Sequence, residues 1–189
     1  GNKFAGFTGS STWSFTTSVA PEFSFDFNAC AGGLPSGWSQ TSVKGDSVWA
    51  CSIFGNAGTN GVQVNGFVSG TGAVDNEDWL ISPVQNLSTL TTATLNFDNA
   101  YKFTGDPIVV LVSRNYSGSG SPYAAGVTWT TLTGATLSAG NYVYANSGNL
   151  SLSSFVGAGN SAVYVAFKYT SSTTAASTWE IDNVKILGN

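Results

Sequence analysis

The sequence predicts an all-β protein, an antiparallel β-sandwich of the jelly-roll type, from three observations. No segment keeps the apolar spacing of a helix, several segments alternate apolar and polar residues, and turn-forming residues separate those segments. The composition agrees, because charged residues are 8% of the chain and Ser, Thr, Gly and Asn supply much of its polar surface. The length of 189 residues is enough for a domain with its own core.

Three segments carry the alternation. Residues 23–30 place Phe23, Phe25 and Phe27 on one face. Residues 94–103 and 162–169 alternate in the same way, and glycine-rich or proline-containing turns lie between the segments. This pattern is typical of half-buried strands in antiparallel sheets. The aligned apolar residues are Leu95, Phe97, Tyr101 and Phe103 in the second segment, and Val163, Val165, Phe167 and Tyr169 in the third.

The last predicted strand changes phase. Trp179 and Ile181 are apolar on one parity, whereas Val184 and Ile186 are apolar on the other. A shift of one residue is what a β-bulge produces, and the bulge would fall at Asp182 and the residue after it. An edge strand with a polar end accounts for the same pattern.

The charge pattern excludes two kinds of partner. The net charge is −4, and the six Lys and Arg residues are scattered, so we expect no nucleic-acid binding. No apolar run approaches the roughly 20 residues that cross a bilayer, so we expect no membrane insertion. The chain has no Met and no signal-peptide pattern, and we expect it to be a mature or excised part of a longer protein that behaves as a monomer.

Cys30 and Cys51 are the only cysteines. An even pair in a chain of this composition favours a disulfide and a secreted or cell-surface location. The alternative is a pair of buried free thiols.

The residue inventory argues against an enzyme. The chain has no His, which removes His-dependent triads and His-ligated metals. A glycosidase needs two carboxylates that face each other across a cleft, and nothing in the sequence singles out such a pair among the ten acidic residues.

The remaining candidate residues point to calcium and to a glycan. Calcium takes oxygen ligands, and Asp26, Asn28 and Asp182 are polar positions beside apolar strand faces. Sugar rings stack on exposed aromatic side chains, and the candidates are Tyr116, Tyr123 and Tyr142. Each candidate also has an ordinary structural interpretation. The three polar residues can be turn caps or solvated surface groups, and the three tyrosines can be packing residues.

The first segment, residues 1–20, differs from the rest. Its Gly1-Asn-Lys-Phe-Ala-Gly6 and Trp13-Ser-Phe-Thr-Thr17 resemble the last hairpin of bacterial Ig-like domains. We therefore expect residues 1–20 to be such a hairpin with a linker, and residues 21–189 to form the jelly-roll domain.

The main segment carries a series of motifs along most of its length: Phe25-Asp-Phe27, Leu34-Pro-Ser-Gly-Trp38, Trp49, Asp78-Trp-Leu-Ile-Ser-Pro83, Ser147-Gly-Asn-Leu-Ser-Leu152, Val163-Tyr-Val-Ala-Phe-Lys-Tyr169 and Trp179-Glu-Ile-Asp-Asn-Val-Lys-Ile186. In these motifs it resembles the choice-of-anchor J and cleaved-adhesin domains of secreted bacterial proteins. The resemblance implies a sandwich like those of galactose-binding domains and carbohydrate-binding modules, in a multidomain secreted or surface protein of a Bacteroidetes-type organism, without catalytic residues of its own.

The resemblance also implies a structural Ca²⁺ between Asp26 and Asp182, with Asp78 as a further ligand or a turn cap. We expect a non-catalytic module that binds carbohydrate or mediates adhesion, with a polysaccharide or cell-surface glycan as partner. The alternatives are a purely structural spacer and, third, a glycosidase-like enzyme.

Overall fold

The computed structural model describes residues 22–30 and 32–189, and these form two antiparallel sheets packed face to face. The predicted hairpin at residues 1–20 lies outside the described residues. Among the described residues, no helix is long and apolar enough to cross a membrane. The fold class predicted from the sequence is confirmed.

Strands β1, β3, β4, β8, β11, β12 and β14 form a seven-stranded sheet, called here the large sheet, and β2, β7, β9, β10 and β13 form a five-stranded small sheet. A separate hairpin joins β5 to β6. The strands are β1 Glu22–Phe25, β2 Ser39–Lys44, β3 Ala50–Ser52, β4 Gly61–Asn65, β5 Phe67–Val68, β6 Gly72–Ala73, β7 Asn76–Ile81, β8 Ala93–Lys102, β9 Val109–Ser113, β10 Thr130–Thr131, β11 Ala145–Asn146, β12 Leu150–Ser151, β13 Tyr164–Ser171 and β14 Thr178–Gly188. Two single-turn 3₁₀ helices, Asn56–Gly58 and Ser153–Phe155, lie in loops.

The inner faces of the two sheets form the main core. Alternate residues of β8 and β13 point inward, and Phe97 meets Phe167 edge to face at 4.9 Å between ring centroids. Trp49 and Trp179 lie in this core. The outward residues of β8, such as Asn96 and Asp98, stay polar, which explains why the alternation was readable in the sequence.

The small sheet also carries a second apolar cluster on its outer face, around Trp79, Tyr116 and Ala166. Trp129 packs on Trp79 with 5.2 Å between ring centroids. Because both faces of β7 are covered, its residues from Asp78 to Ile81 are all buried, and a plain alternation is lost there.

The predicted bulge in β14 is confirmed. The pairing of β14 with β8 shifts between Asp182 and Lys185, and Asn183 takes a positive φ of 48°. The bulge divides β14 between two neighbours: residues 178–181 pair with β4, and residues 184–187 pair with β1. The alternative of an edge strand is wrong, because β14 lies inside the large sheet.

Cys30 and Cys51 form a disulfide, with 5.5 Å between their Cα atoms. The bond connects the turn after β1 to β3, and Cys30 is buried against the core. Free thiols, the alternative considered from the sequence, do not occur among the described residues.

Candidate functional site

A pocket of about 530 Å³ opens on the outer face of the large sheet. Its floor is polar because the outward positions of β4 and β14 are polar while their inward positions fill the core. Glu180 pairs with Gln63, and Thr178 pairs with Asn65. These four side chains line the pocket.

The walls of the pocket are apolar and come from three loops. The β3–β4 loop supplies Ile53 and Phe54, the end of β8 leads into Phe103, and the segment before β11 supplies Tyr142 and Tyr144. The Tyr144 hydroxyl donates a hydrogen bond of 2.7 Å to the carbonyl oxygen of Phe54, which joins two of these loops above the sheet.

Glu180 is the carboxyl group of the floor, and its residue is only 3% exposed. Its Oε1 accepts a hydrogen bond of 2.8 Å from Nε2 of Gln63. Burial raises the pKa of Glu180, and the hydrogen bond from Gln63 offsets part of that rise. Burial and the nearby carboxylates also raise the pKa of Tyr144, so its hydroxyl stays protonated and remains a donor.

The bulge of β14 anchors the β3–β4 loop. Asp182 is fully buried, and its Oδ2 accepts hydrogen bonds from the backbone N–H of Asn56 at 2.9 Å and from the Thr59 hydroxyl at 3.0 Å. Asp98, opposite Asp182 on β8, accepts from the side-chain amides of Asn56 and Asn183, both at 2.9 Å. Burial raises the pKa of Asp182. Hydrogen bonds from the backbone N–H groups of Asn183 and Asn56 and from the Thr59 hydroxyl lower it, and the nearby Asp98 raises it further.

Three of the four predicted calcium ligands come to one corner of the large sheet. Phe25 pairs with Val184, so Asp26 follows where the bulge begins. Asn28 contacts the β3–β4 loop, which is the loop that Asp182 anchors. Nδ2 of Asn60 in this loop donates a hydrogen bond of 3.2 Å to the carbonyl oxygen of Asn28.

The donor set at this corner fits the hard oxygen ligands that calcium prefers. Asp26 is exposed, and from the described residues its Oδ1 accepts only the short-range hydrogen bond from the backbone N–H of Asn28 at 3.1 Å. Among residues 22–30 and 32–189, no three or more Cys, Asp or Glu side chains cluster closely enough to hold a metal, so amide and carbonyl oxygens would have to complete the coordination.

Asp78 does not belong to this corner, and its inclusion among the calcium ligands with Asp26 and Asp182 is wrong. It lies on β7 of the small sheet and points into the sandwich, whereas Asp182 lies on the outer side of the large sheet. The backbone N–H of Trp49 donates to Oδ2 of Asp78 at 2.5 Å, and Oδ1 has no partner among the described residues. Burial raises the pKa of Asp78 to about 6, although hydrogen bonds from Trp49 and Trp79 oppose the rise.

The three predicted sugar-stacking tyrosines have different surroundings. Tyr142 lines the pocket. Tyr123 is 55% exposed but lies by the outer face of the small sheet, where its hydroxyl donates to Oε1 of Glu77 at 2.6 Å. Tyr116 is only 4% exposed, so the expectation of an exposed ring is wrong for it: the ring packs on Trp129 and Tyr164 in the second apolar cluster.

Sequence reasoning missed most of the pocket. Phe54, Phe103 and Tyr144 lie in its walls, and Glu180 and Gln63 lie in its floor. A signal existed for the floor, because Glu180 alternates with inward Trp179 and Ile181. The walls gave no such signal, since loops from distant parts of the chain build them.

Comparisons with known proteins agree with this architecture. A crystal structure of the K1 cleaved adhesin domain of Lys-gingipain from Porphyromonas gingivalis W83 matches 89% of this chain and 99% of that domain, with a TM-score of 0.56 and 19% identity. A family 11 carbohydrate-binding module from Clostridium thermocellum matches 91% of this chain and 97% of that module, with a TM-score of 0.51 and 17% identity. The module TmCBM61, in complex with β-1,4-galactotriose, matches 87% of this chain and 94% of that module, with a TM-score of 0.51 and 11% identity.

At these identities the likeness shows a shared fold, and the predicted resemblance to cleaved adhesin domains is confirmed at that level. No curated protein matches the sequence. The family model described as a domain of unknown function, DUF5017, matches residues 85–187, which is more than half of the chain and covers β8 and all but the last residue of β14. The chain therefore belongs to the DUF5017 family and has the β-sandwich fold seen in cleaved adhesin domains and carbohydrate-binding modules.

Proposed function

We propose that this domain is a non-catalytic carbohydrate-binding module of a secreted or cell-surface bacterial protein, and that the glycan binds in the pocket on the large sheet. The observation that carries the proposal is the pocket itself, with aromatic walls above a floor of amide, hydroxyl and carboxyl groups. A sugar presents the matching surfaces: C–H faces suit aromatic rings, and hydroxyl groups suit the polar floor.

The size and chemistry of the pocket support this proposal. Its volume of about 530 Å³ lies in the range of small-molecule sites. Gln63 and Asn65 offer both donors and acceptors, and the hydroxyl of Thr178 has no hydrogen-bond partner among the described residues. Among the described residues that line the pocket, Glu180 is the one carboxyl group, whereas a glycosidase uses two across a cleft.

The proposal is tested by glycan-array screening followed by calorimetry on the whole chain. Phe54→Ala and Tyr142→Ala are each expected to weaken glycan binding by about tenfold or more, because each removes an aromatic wall. Tyr123→Ala is the matched control, since it removes an exposed tyrosine that packs on Trp79 at the outer face of the small sheet, away from the pocket. If the wild-type chain binds no glycan of the array, the proposal fails and the spacer alternative is favoured.

We also propose a structural Ca²⁺ at the corner formed by Asp26, Asn28 and Asp182. The convergence of these oxygen donors supports it, as does the exposed carboxylate of Asp26 next to the bulge. Bound calcium would tie the turn after β1 to the β3–β4 loop and so stabilise the wall that holds Phe54.

The calcium proposal predicts that a chelator lowers the melting temperature, because an ion that binds only the folded state stabilises it by mass action. Melting curves with calcium and with chelator measure the shift. Asp26→Asn is expected to abolish the shift, while Asp46→Asn, which alters an exposed aspartate elsewhere, is expected to retain it. Identical melting temperatures for the wild-type chain in both solutions would contradict the proposal.

A further inference from the structure

Phe103 and Tyr142 form an exposed aromatic ridge at the edge of the pocket. Phe103 is 58% exposed and Tyr142 is 39% exposed, and their rings meet edge to face with 6.3 Å between centroids. On the other side of Phe103 lies a second pocket of about 420 Å³, lined by residues 101–105 and 139–141. The ridge therefore separates two pockets, and a chain of sugars could lie across it with a ring on either side.

The backbone holds both ridge residues in an unusual conformation. Phe103 has a φ of 72° and Tyr142 a φ of 57°, in the left-handed region that large side chains rarely adopt. The backbone N–H of Tyr142 donates to the carbonyl oxygen of Tyr101 at 3.0 Å, which helps to fix the loop. Strained conformations of this kind concentrate where a structure presents side chains to a ligand.

Lys102 lies at this ridge as well. Its Nζ is 5.4 Å from the ring centroid of Phe103 and 5.5 Å from that of Tyr142, so two rings hold the ammonium group. A salt bridge joins Lys44 to Asp75, whereas Lys102 has no carboxylate partner within the described part of the chain. Lys102 is one of six cationic side chains in a chain with a net charge of −4, and it lies at the proposed glycan site with no ionic partner among the residues that the structure describes.

The two acidic side chains nearest to the ridge in the fold and in the sequence, Glu180 and Asp106, form no salt bridge with Lys102. Glu180 is buried in the floor and is hydrogen-bonded to Gln63. The carboxylate of Asp106, which follows the second pocket in sequence, accepts a hydrogen bond of 3.2 Å from the Thr170 hydroxyl on the small sheet. Among the described residues that line the second pocket, Lys102 is the one charged side chain.

We propose that the ligand is an acidic polysaccharide of the uronic-acid type, which lies across the Phe103–Tyr142 ridge and places a carboxylate at Lys102. This inference rests on the proposed carbohydrate-binding function and specifies its ligand class. A carboxylate at Lys102 gains a charge-assisted hydrogen bond, whereas a neutral sugar gains only the stacking on the ridge.

The test compares polysaccharides that differ only in their charge. Polygalacturonate, alginate and hyaluronan are each titrated into the whole chain in native form and after reduction of their carboxyl groups to alcohols. At least one native polymer is expected to bind about tenfold more tightly than its reduced form. Lys102→Gln is expected to remove that difference, with an unchanged melting temperature as the check on folding.

Lys168→Gln is the matched control. Lys168 also lies over an aromatic ring, with its Nζ 5.8 Å from the centroid of Trp79, but on the outer face of the small sheet. This variant is expected to keep the preference for the native polymer, and a loss of preference in it would place the acid-binding site elsewhere and overturn the inference.

The remaining outcomes separate the ligand class from the proposed function. If reduced or neutral polymers bind as tightly as native ones and Phe54→Ala abolishes that binding, the pocket binds glycans but the acidic class is overturned. A preference for native polymers that persists in Lys102→Gln also overturns the role of Lys102. If no polymer binds in either form and the glycan array is also blank, the proposed function fails together with the inference.

Discussion

Asp78 carries a carboxyl group into the interior of the sandwich, where its side chain has no exposed surface. One oxygen accepts from the backbone of Trp49, and the other has no partner among the described residues. Burial therefore disfavours the ionised form and raises the pKa of Asp78 to about 6 from an ordinary 3.8. Between these two values, the folded protein binds a proton that the unfolded chain releases.

This difference predicts that acidification from about pH 7 to about pH 4 favours the folded state at Asp78. A tenfold change in proton affinity is worth about 1.4 kcal/mol, so the gain in unfolding free energy from this carboxyl is at most about 3 kcal/mol. In Asp78→Asn this gain in unfolding free energy is expected to be smaller. Part of the gain remains, because the pKa values of Glu180 and Asp182 are also raised. Urea unfolding across this pH range measures the effect, and equal pH dependence in both proteins would contradict it.

The surroundings of single residues were the feature of the structure that was hardest to predict from the sequence. Asp26 and Asp182 were singled out by parity and by resemblance, and they lie at one corner of the large sheet. Tyr116 was expected to be exposed because it flanks a loop rich in Gly and Ser. The loop instead folds back over the outer face of the small sheet, and its carbonyl at Gly120 accepts the hydroxyl of Tyr116 at 3.0 Å.

Strand β14 shows which features of a single strand can be predicted from the sequence and which cannot. Its phase change predicted the bulge, because side-chain alternation is a local property that one register shift reverses. The partners of the bulge were not predictable, since Asp182 reaches Asn56 and Thr59, more than 120 residues away in the chain. The pocket wall that carries Phe54 depends on those contacts.

We expect Asp182→Ala to release the β3–β4 loop. The change leaves the backbone N–H of Asn56 without its acceptor, and an unsatisfied group of this kind costs about 1–3 kcal/mol of unfolding free energy. Asp182→Asn retains an acceptor and is expected to cost less. Denaturant unfolding in the presence of chelator isolates the hydrogen bonds from any bound ion.

The same variant links stability to binding. Because the loop carries Phe54, Asp182→Ala is expected to weaken glycan binding by about tenfold as well. Asp182→Ala with wild-type affinity would show that the loop keeps its position without this anchor.

At the scale of the whole molecule, the two-sheet architecture was predictable and the arrangement of the strands was not. Alternation in residues 94–103 and 162–169 follows from burial of one face, which any sandwich imposes. The order of strands follows from long-range pairings, which local patterns do not encode. The outer cluster around Trp79 also hid the alternation of β7.

The disulfide affects the stability of the whole molecule because it restricts the conformations of the unfolded chain. A bridge between Cys30 and Cys51, separated by 21 positions, is expected to contribute about 3 kcal/mol in the chain-entropy model. Replacing both cysteines with Ala should lower the urea midpoint accordingly. A midpoint that does not change on this replacement, or on reduction of the wild-type chain, would contradict the prediction.

The position of β14 determines when the large sheet can be completed during folding. This strand comes last in chain order, yet it is the one to which β1, β4 and β8 all pair in the large sheet. Until residues 178–188 emerge during synthesis, those three strands lack their shared neighbour, and the large sheet cannot be completed. Completion of the large sheet therefore waits for the synthesis of its last strand.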